Sequence, residues 1–122
     1  ETATRNSERG PNRAMSCDSR HRDPAGLVAW ARQQLGAGQL TAAAACLDLA
    51  LRAAPSHADA HYLRGGVLVI GGDNPAAIPH FERALRFAPS HADAYFELGN
   101  AHYAARQFEG ASRSYFGALQ VM

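Results

Sequence analysis

The sequence predicts an all-α protein made of three stacked, antiparallel helix hairpins, and three observations carry that reading. The heptapeptide Ala-Pro-Ser-His-Ala-Asp-Ala stands at residues 54–60 and again at residues 88–94, 34 positions later. Small and bulky apolar residues recur in the same register. Helix start and stop signals cut the chain from residue 24 onward into six stretches of ordinary globular length. A period of 34 is the length of one helical hairpin with its turns, so the repetition is architectural.

Residues 1–23 hold almost no large apolar side chains and read as a flexible arm, because they bury too little surface to offset the entropy of ordering. The first helix, 24–36, opens on Asp23-Pro24: the aspartate caps, and proline's missing N–H costs nothing at the first helical position. Gly36-Ala37-Gly38 ends it. The second helix, 40–53, stops short of Pro55, and the third, 58–71, runs into Gly71-Gly72-Asp73-Asn74-Pro75. That stretch also starts the fourth helix, 75–88, which Pro89 separates from a fifth at 92–105 and a sixth at 108–121. Within the repeated motif, Ser56 and Ser90 are expected N-caps, with Asp59 and Asp93 three residues on as in a capping box. Pro79 deletes a backbone hydrogen bond one turn inside the fourth helix and is expected to bend or loosen it.

Superposing the chain on itself brings small residues into register at Ala31, Gly65 and Gly99, at Ala43, Ala77 and Ala111, and at Ala50, Ala84 and Ala118. Bulky residues recur at Leu47, Phe81 and Tyr115, and at Leu51, Leu85 and Leu119. Stacked hairpins need this pairing, since small side chains let two helices approach and a bulky one fills the space between them.

Hydrophobic residues make up 47% of the chain and charged residues 19%, with a formal net charge of +1, so charge gives no reason to expect nucleic acid or a membrane surface as partner. No apolar run approaches the roughly 18 residues of a membrane span, and no secretory leader opens the chain, which reads as cytoplasmic. All 12 basic residues are Arg, and Ala is abundant, as in a GC-rich bacterial genome. Cys17 and Cys46 form no CxxC pair and cannot build a disulfide framework; Cys46 reads as a small buried hydrophobe in a reducing compartment. Ser56, His57 and Asp59 are the residue types of a hydrolase triad, but adjacency in sequence is not triad geometry and no nucleophile elbow surrounds them. His57 and His61 are spaced to share a metal, yet no nearby Cys or third His completes a set. The reading is of a non-enzymatic chain without catalytic residues, metal or cofactor.

The register resembles the tetratricopeptide repeat family, over about residues 24–122. The third copy carries the family pattern through Tyr95, Leu98, Gly99, Ala111, Tyr115 and Ala118, with His102 where tyrosine is usual. The second carries it through Gly65, Ala77, Phe81, Ala84 and Pro89, with His61 for the aromatic and Arg64 for leucine. The first is looser, through Leu27, Trp30, Ala31, Ala43, Leu47, Ala50 and Pro55. The resemblance implies a right-handed superhelical solenoid with repeats 24–57, 58–91 and 92–122, whose first helices line a concave groove. It also implies that His61 and His102 are packed, hydrogen-bonded imidazoles, and that Arg64 packs its aliphatic stem while its guanidinium reaches water.

In that arrangement the groove residues are Val28 and Arg32 from the first repeat, Tyr62, Leu63, Gly66 and Val69 from the second, and Asp93, Phe96, Glu97, Asn100 and Tyr103 from the third. A row containing Val28, Tyr62, Leu63, Val69, Phe96 and Tyr103 is too apolar for a surface that binds nothing, so a protein or peptide ligand is expected, extended or helical. The subclass that grips the C-terminal carboxylate of Hsp70 and Hsp90 is not implied, because only Arg32 is basic where its clamp belongs and Asp93 and Glu97 would repel a carboxylate. The asparagine ladder of O-GlcNAc transferases is missing too. Two rival readings are a substrate-docking arm of a longer bacterial enzyme, a sulfotransferase or glycosyltransferase, and a secretion chaperone. The last helix carries Tyr115, Phe116 and Leu119 with no following cap in this sequence, so it is expected to meet either further chain or a second copy in self-association.

Overall fold

In the computed structural model, Cys17 and residues 23–122 are described; the expected arm at residues 1–23 therefore lies outside the described residues except for Cys17 and Asp23. Among the described residues the only regular elements are six helices: α1 (Pro24–Gly36), α2 (Leu40–Ala53), α3 (Ala58–Ile70), α4 (Asn74–Phe87), α5 (Ala92–Ala104) and α6 (Phe108–Val121). Each begins and ends within one residue of its expected bounds. The chain forms two compact units, the first ending at Pro55 and the second running from Ser56 to Met122.

The first unit is the α1–α2 hairpin. The Asp23 Oδ2 accepts a hydrogen bond from the Gly26 N–H at 3.2 Å, which holds the start of α1. Leu27, Val28, Ala31 and Gln34 are buried from α1, and Ala43, Cys46, Leu47 and Ala50 from α2, spacings that put each set on one helical face. Cys46 is fully buried, as expected, but it is bonded to Cys17, with Cα atoms 5.2 Å apart. The reading of Cys46 as a free cysteine is thereby corrected. Nothing in the spacing of two cysteines 29 residues apart signals the pairing, because it depends on where Cys17 lies against α2 in space.

The second unit holds α3 to α6. Its core gathers Ala77 and Phe81 from α4 with Leu98 and Ala101 from α5, flanked by Tyr62, Leu68, Val69, Ile78 and Leu85. The small-against-bulky pairing is explicit here. A β-carbon added to Gly65 would fall 2.7 Å from the Phe81 ring, and one added to Gly99 would fall 2.6 Å from the Tyr115 ring. Only glycine admits rings this close. α4 runs through Pro79 without interruption, and the proline is exposed. His61 is buried with its ring stacked at 5.8 Å on Phe87, and His102 pairs with Gln107 Oε1 at 2.7 Å through Nδ1.

The repeat also shows in the turns that end α1, α3 and α5. Gly38 (φ 79°), Gly72 (φ 91°) and Arg106 (φ 61°) take the left-handed conformation at equivalent positions. In each case the next N–H closes the helix: Gln39 onto the Gln34 carbonyl, Asp73 onto Leu68 and Gln107 onto His102, all at 2.8 Å. The third copy keeps this turn with an arginine, against the usual steric preference.

The serine caps are corrected. His57 and His91 are the N-caps, each accepting through Nδ1 from the backbone N–H three residues on, Ala60 at 3.3 Å and Ala94 at 3.1 Å. In the second copy the reason is visible: the His91 N–H donates to the Ala88 carbonyl at 3.0 Å, closing a tight turn with Pro89 and Ser90 at its centre. Ser90 is inside the turn, so the helix starts one residue too late for it to cap.

Candidate functional site

The groove residues of the second unit stand on α3 and α5, which both pack on α4 and touch each other only narrowly. Their spacing is held by a link the sequence did not suggest. Because Nδ1 of His91 accepts the Ala94 N–H, its proton sits on Nε2, which donates to Asp59 Oδ1 at 3.1 Å. The start of α5 is thus tied to the first turn of α3. The same imidazole packs 4.8 Å from the Tyr62 ring, and Tyr62 in turn lies 6.0 Å from Phe81 in the core. One histidine therefore caps a helix, joins two repeats and supports an aromatic side chain.

Along α5, Phe96 is 52% exposed and Tyr103 is 61% exposed. Phe96 leans on Tyr115 at 5.9 Å, and Tyr115 donates its hydroxyl to Asn100 Oδ1 at 2.5 Å. Tyr103 meets Phe108 edge-on at 5.4 Å. These contacts seat the aromatic rings on rigid helices while leaving Phe96 and Tyr103 open to water. Gly66 and Val69 on α3 are half-buried, and exposed Ile70 follows them. Asp93 is exposed and Glu97 half-buried, so this part of the surface bears negative charge.

Two residues of the expected exposed row are core residues instead: Val28 is 4% exposed and Leu63 7%. On a helix every third or fourth position faces the same way, and one step in phase separates lining from packing. Arg32 on α1 is exposed. Sequence reasoning missed His91 as a positioning group, since a link between residues 32 apart follows from stacking geometry and not from a motif. The Ser-His-Asp motifs have their imidazoles engaged in capping, and among the described residues no three His, Cys, Asp or Glu side chains converge as metal ligands would. Among the described residues, no helix is long and apolar enough to cross a membrane.

The tetratricopeptide repeat family model matches residues 28–90 and 71–119. Among solved structures, MamA matches with a TM-score of 0.77 at 22% identity, over 83% of this chain and 59% of that one. MamA from Desulfovibrio magneticus RS-1 matches with a TM-score of 0.73 at 28% identity, over 82% of this chain and 56% of that one. The second TPR of Spaghetti (RPAP3), solved bound to the HSP90 peptide SRMEEVD, matches with a TM-score of 0.79 at 14% identity, over 84% and 95% of the two chains. No curated protein matches the chain. The chain thus spans less than two thirds of either MamA structure.

Proposed function

Since this chain belongs to the tetratricopeptide repeat family, whose members serve as protein-interaction modules, we propose that it is a non-catalytic adaptor holding a peptide on the face formed by α3 and α5. The observation that carries the reading is the aromatic row: Phe96 and Tyr103 stand open to water on α5, and Tyr62 of α3 packs against His91 at the start of that helix. Rigid aromatic side chains bury large areas at little entropic cost and dominate the affinity of interfaces that contain them. The peptide, extended or helical, brings apolar side chains to this row, and Gly66, Val69 and Asn100 line its path. Asp93 and Glu97 favour a neutral or basic segment over an acidic one. A ligand like the acidic SRMEEVD peptide of the RPAP3 structure is therefore a poor fit here, however similar the two backbones are.

The test is peptide phage display against the whole chain. Enriched peptides are expected to carry spaced apolar residues with neutral or basic neighbours, and to bind at least about tenfold more weakly when Tyr62 and Phe96 are both changed to Ala. Circular dichroism of that variant should match the wild type. Enriched peptides that bind the double variant equally well would remove α3 and α5 as the site.

A further inference from the structure

The α3–α5 face carries a carboxylate that the packing of the fold does not explain. In the 34-residue register Glu97 stands where the second repeat has Leu63, a core residue 7% exposed, and where the first has Ala29. The third repeat sets a glutamate at this position and leaves it half-buried. Asp93, four residues earlier on the same side of α5, adds a second carboxylate, and like charges at that spacing weaken a helix. Asp93 has a local reason. It lies in the first turn of α5, where the helix dipole favours negative charge, and it repeats Asp59. Glu97 lies beyond that turn and has no such reason. Among the described residues neither carboxylate has a hydrogen-bond or ion-pair partner, whereas Asp59 accepts from His91. Nor does the face hold a cation to answer them. α5 contains no arginine or lysine. The single arginine of α3, Arg64, lies about 140° around that helix from Asp59.

We infer that the peptide held on this face brings an arginine side chain to Glu97. The inference rests on the peptide reading above and names the side chain that reading leaves open. Residues four apart on a helix have β-carbons about 5–6 Å apart, so one planar guanidinium with its five donors bonds Glu97 and Asp93 together. Phe96, beside Glu97 in the chain and 52% exposed, offers its ring to the flat face of the same group and to the aliphatic stem behind it. Lysine brings a point charge without the fork or the flat surface, and is the weaker ligand. Charge complementarity thus selects the occupant of an otherwise apolar face.

The test repeats the phage selection with the whole chain as wild type, as Glu97→Gln and as Glu97→Arg. Arginine is expected several-fold above its library frequency in the wild-type pool. It should fall to library frequency with Glu97→Gln, and give way to Asp or Glu with Glu97→Arg. One fluorescein-labelled peptide from the wild-type pool is then followed by anisotropy. Replacing its arginine by neutral citrulline should weaken binding about tenfold or more on the wild type. On Glu97→Gln the same replacement should cost less than about twofold. Glutamine keeps the shape of the side chain, and circular dichroism checks the fold of both variants. Pools rich in apolar residues but not in arginine, with binding that needs Phe96, would leave the peptide site standing and overturn the arginine. A citrulline peptide that binds the wild type unchanged, or loses as much on Glu97→Gln, would overturn it too. Selections that enrich nothing would overturn the arginine and the peptide site together.

Discussion

Gly99→Ala adds one methyl group at the crossing of α5 and α6, where it would lie 2.6, 2.7 and 3.0 Å from three carbons of the Tyr115 ring. Carbon pairs settle at about 3.5–4.0 Å, so the ring has to retreat by about 1 Å. It is not free to do so, because its hydroxyl is bonded to Asn100 and its ring packs at a tilt against Phe96. Overpacking of this kind costs about 1–3 kcal/mol. Alanine returns about 0.5–1 kcal/mol as the better helix former. The net expectation is a loss of about 1 kcal/mol or more, seen as a thermal midpoint lower by about 4–8 °C for each kcal/mol. Leucine, larger still, should be worse. The first repeat supplies the rescue. It has Ala31 and Leu47 where the later repeats pair glycine with a ring, Gly65 with Phe81 and Gly99 with Tyr115. Combining Gly99→Ala with Tyr115→Leu should recover most of the steric loss, giving a coupling of about 1 kcal/mol in a double-mutant cycle. Thermal melts followed by circular dichroism measure all four proteins. An unchanged midpoint for Gly99→Ala, or strict additivity in the cycle, would refute the steric reasoning.

Gly66→Ala is the control of opposite sign: a β-carbon there meets nothing within 4 Å, so the variant should gain about 0.5–1 kcal/mol from helix propensity alone. His91→Ala removes a cap and the link to Asp59, and urea titration should show about 1–2 kcal/mol lost, whereas Ser90→Ala should stay within about 0.5 kcal/mol. Equal losses for the two would restore the serine as the cap. Arg106→Gly should raise the melting midpoint by the equivalent of about 0.5–1 kcal/mol, because relief of left-handed backbone outweighs glycine's extra entropy. Alkylation of the unfolded, unreduced protein should leave Cys17 and Cys46 unlabelled in the mass spectrum; two labels would mean that the bond does not form.

The helices were legible because their signals are local. Asp23-Pro24, the glycine pairs at residues 36–38 and 71–72, and Pro55 and Pro89 act within a turn or two of themselves, and the structure places the helix ends accordingly. The burial of Ala43, Ala77 and Ala111 was legible for a related reason: a residue repeated at a fixed period must do the same packing each time. The caps misled because serine and histidine are adjacent, and a turn centred on Pro89 and Ser90 decides which of them reaches the helix start. The lining of the α3–α5 face was only partly legible. Phe96 and Tyr103 fall on the surface side and Tyr62 is half-buried at the edge of the core, while Leu63, next to Tyr62, turns fully inward.

By itself, then, the sequence determined the class, the number and limits of the helices, the hairpin register and the family, all of which rest on periodicity and on short-range stereochemistry. The tertiary structure alone decided which residues pair across the repeats. The hydrogen bond between His91 and Asp59 and the joining of Cys17 to Cys46 each involve residues about 30 apart. A repeat announces that such neighbours exist. Which side chains meet depends on the rotation and rise between successive hairpins, and that geometry comes from the summed packing of many small contacts rather than from any one residue.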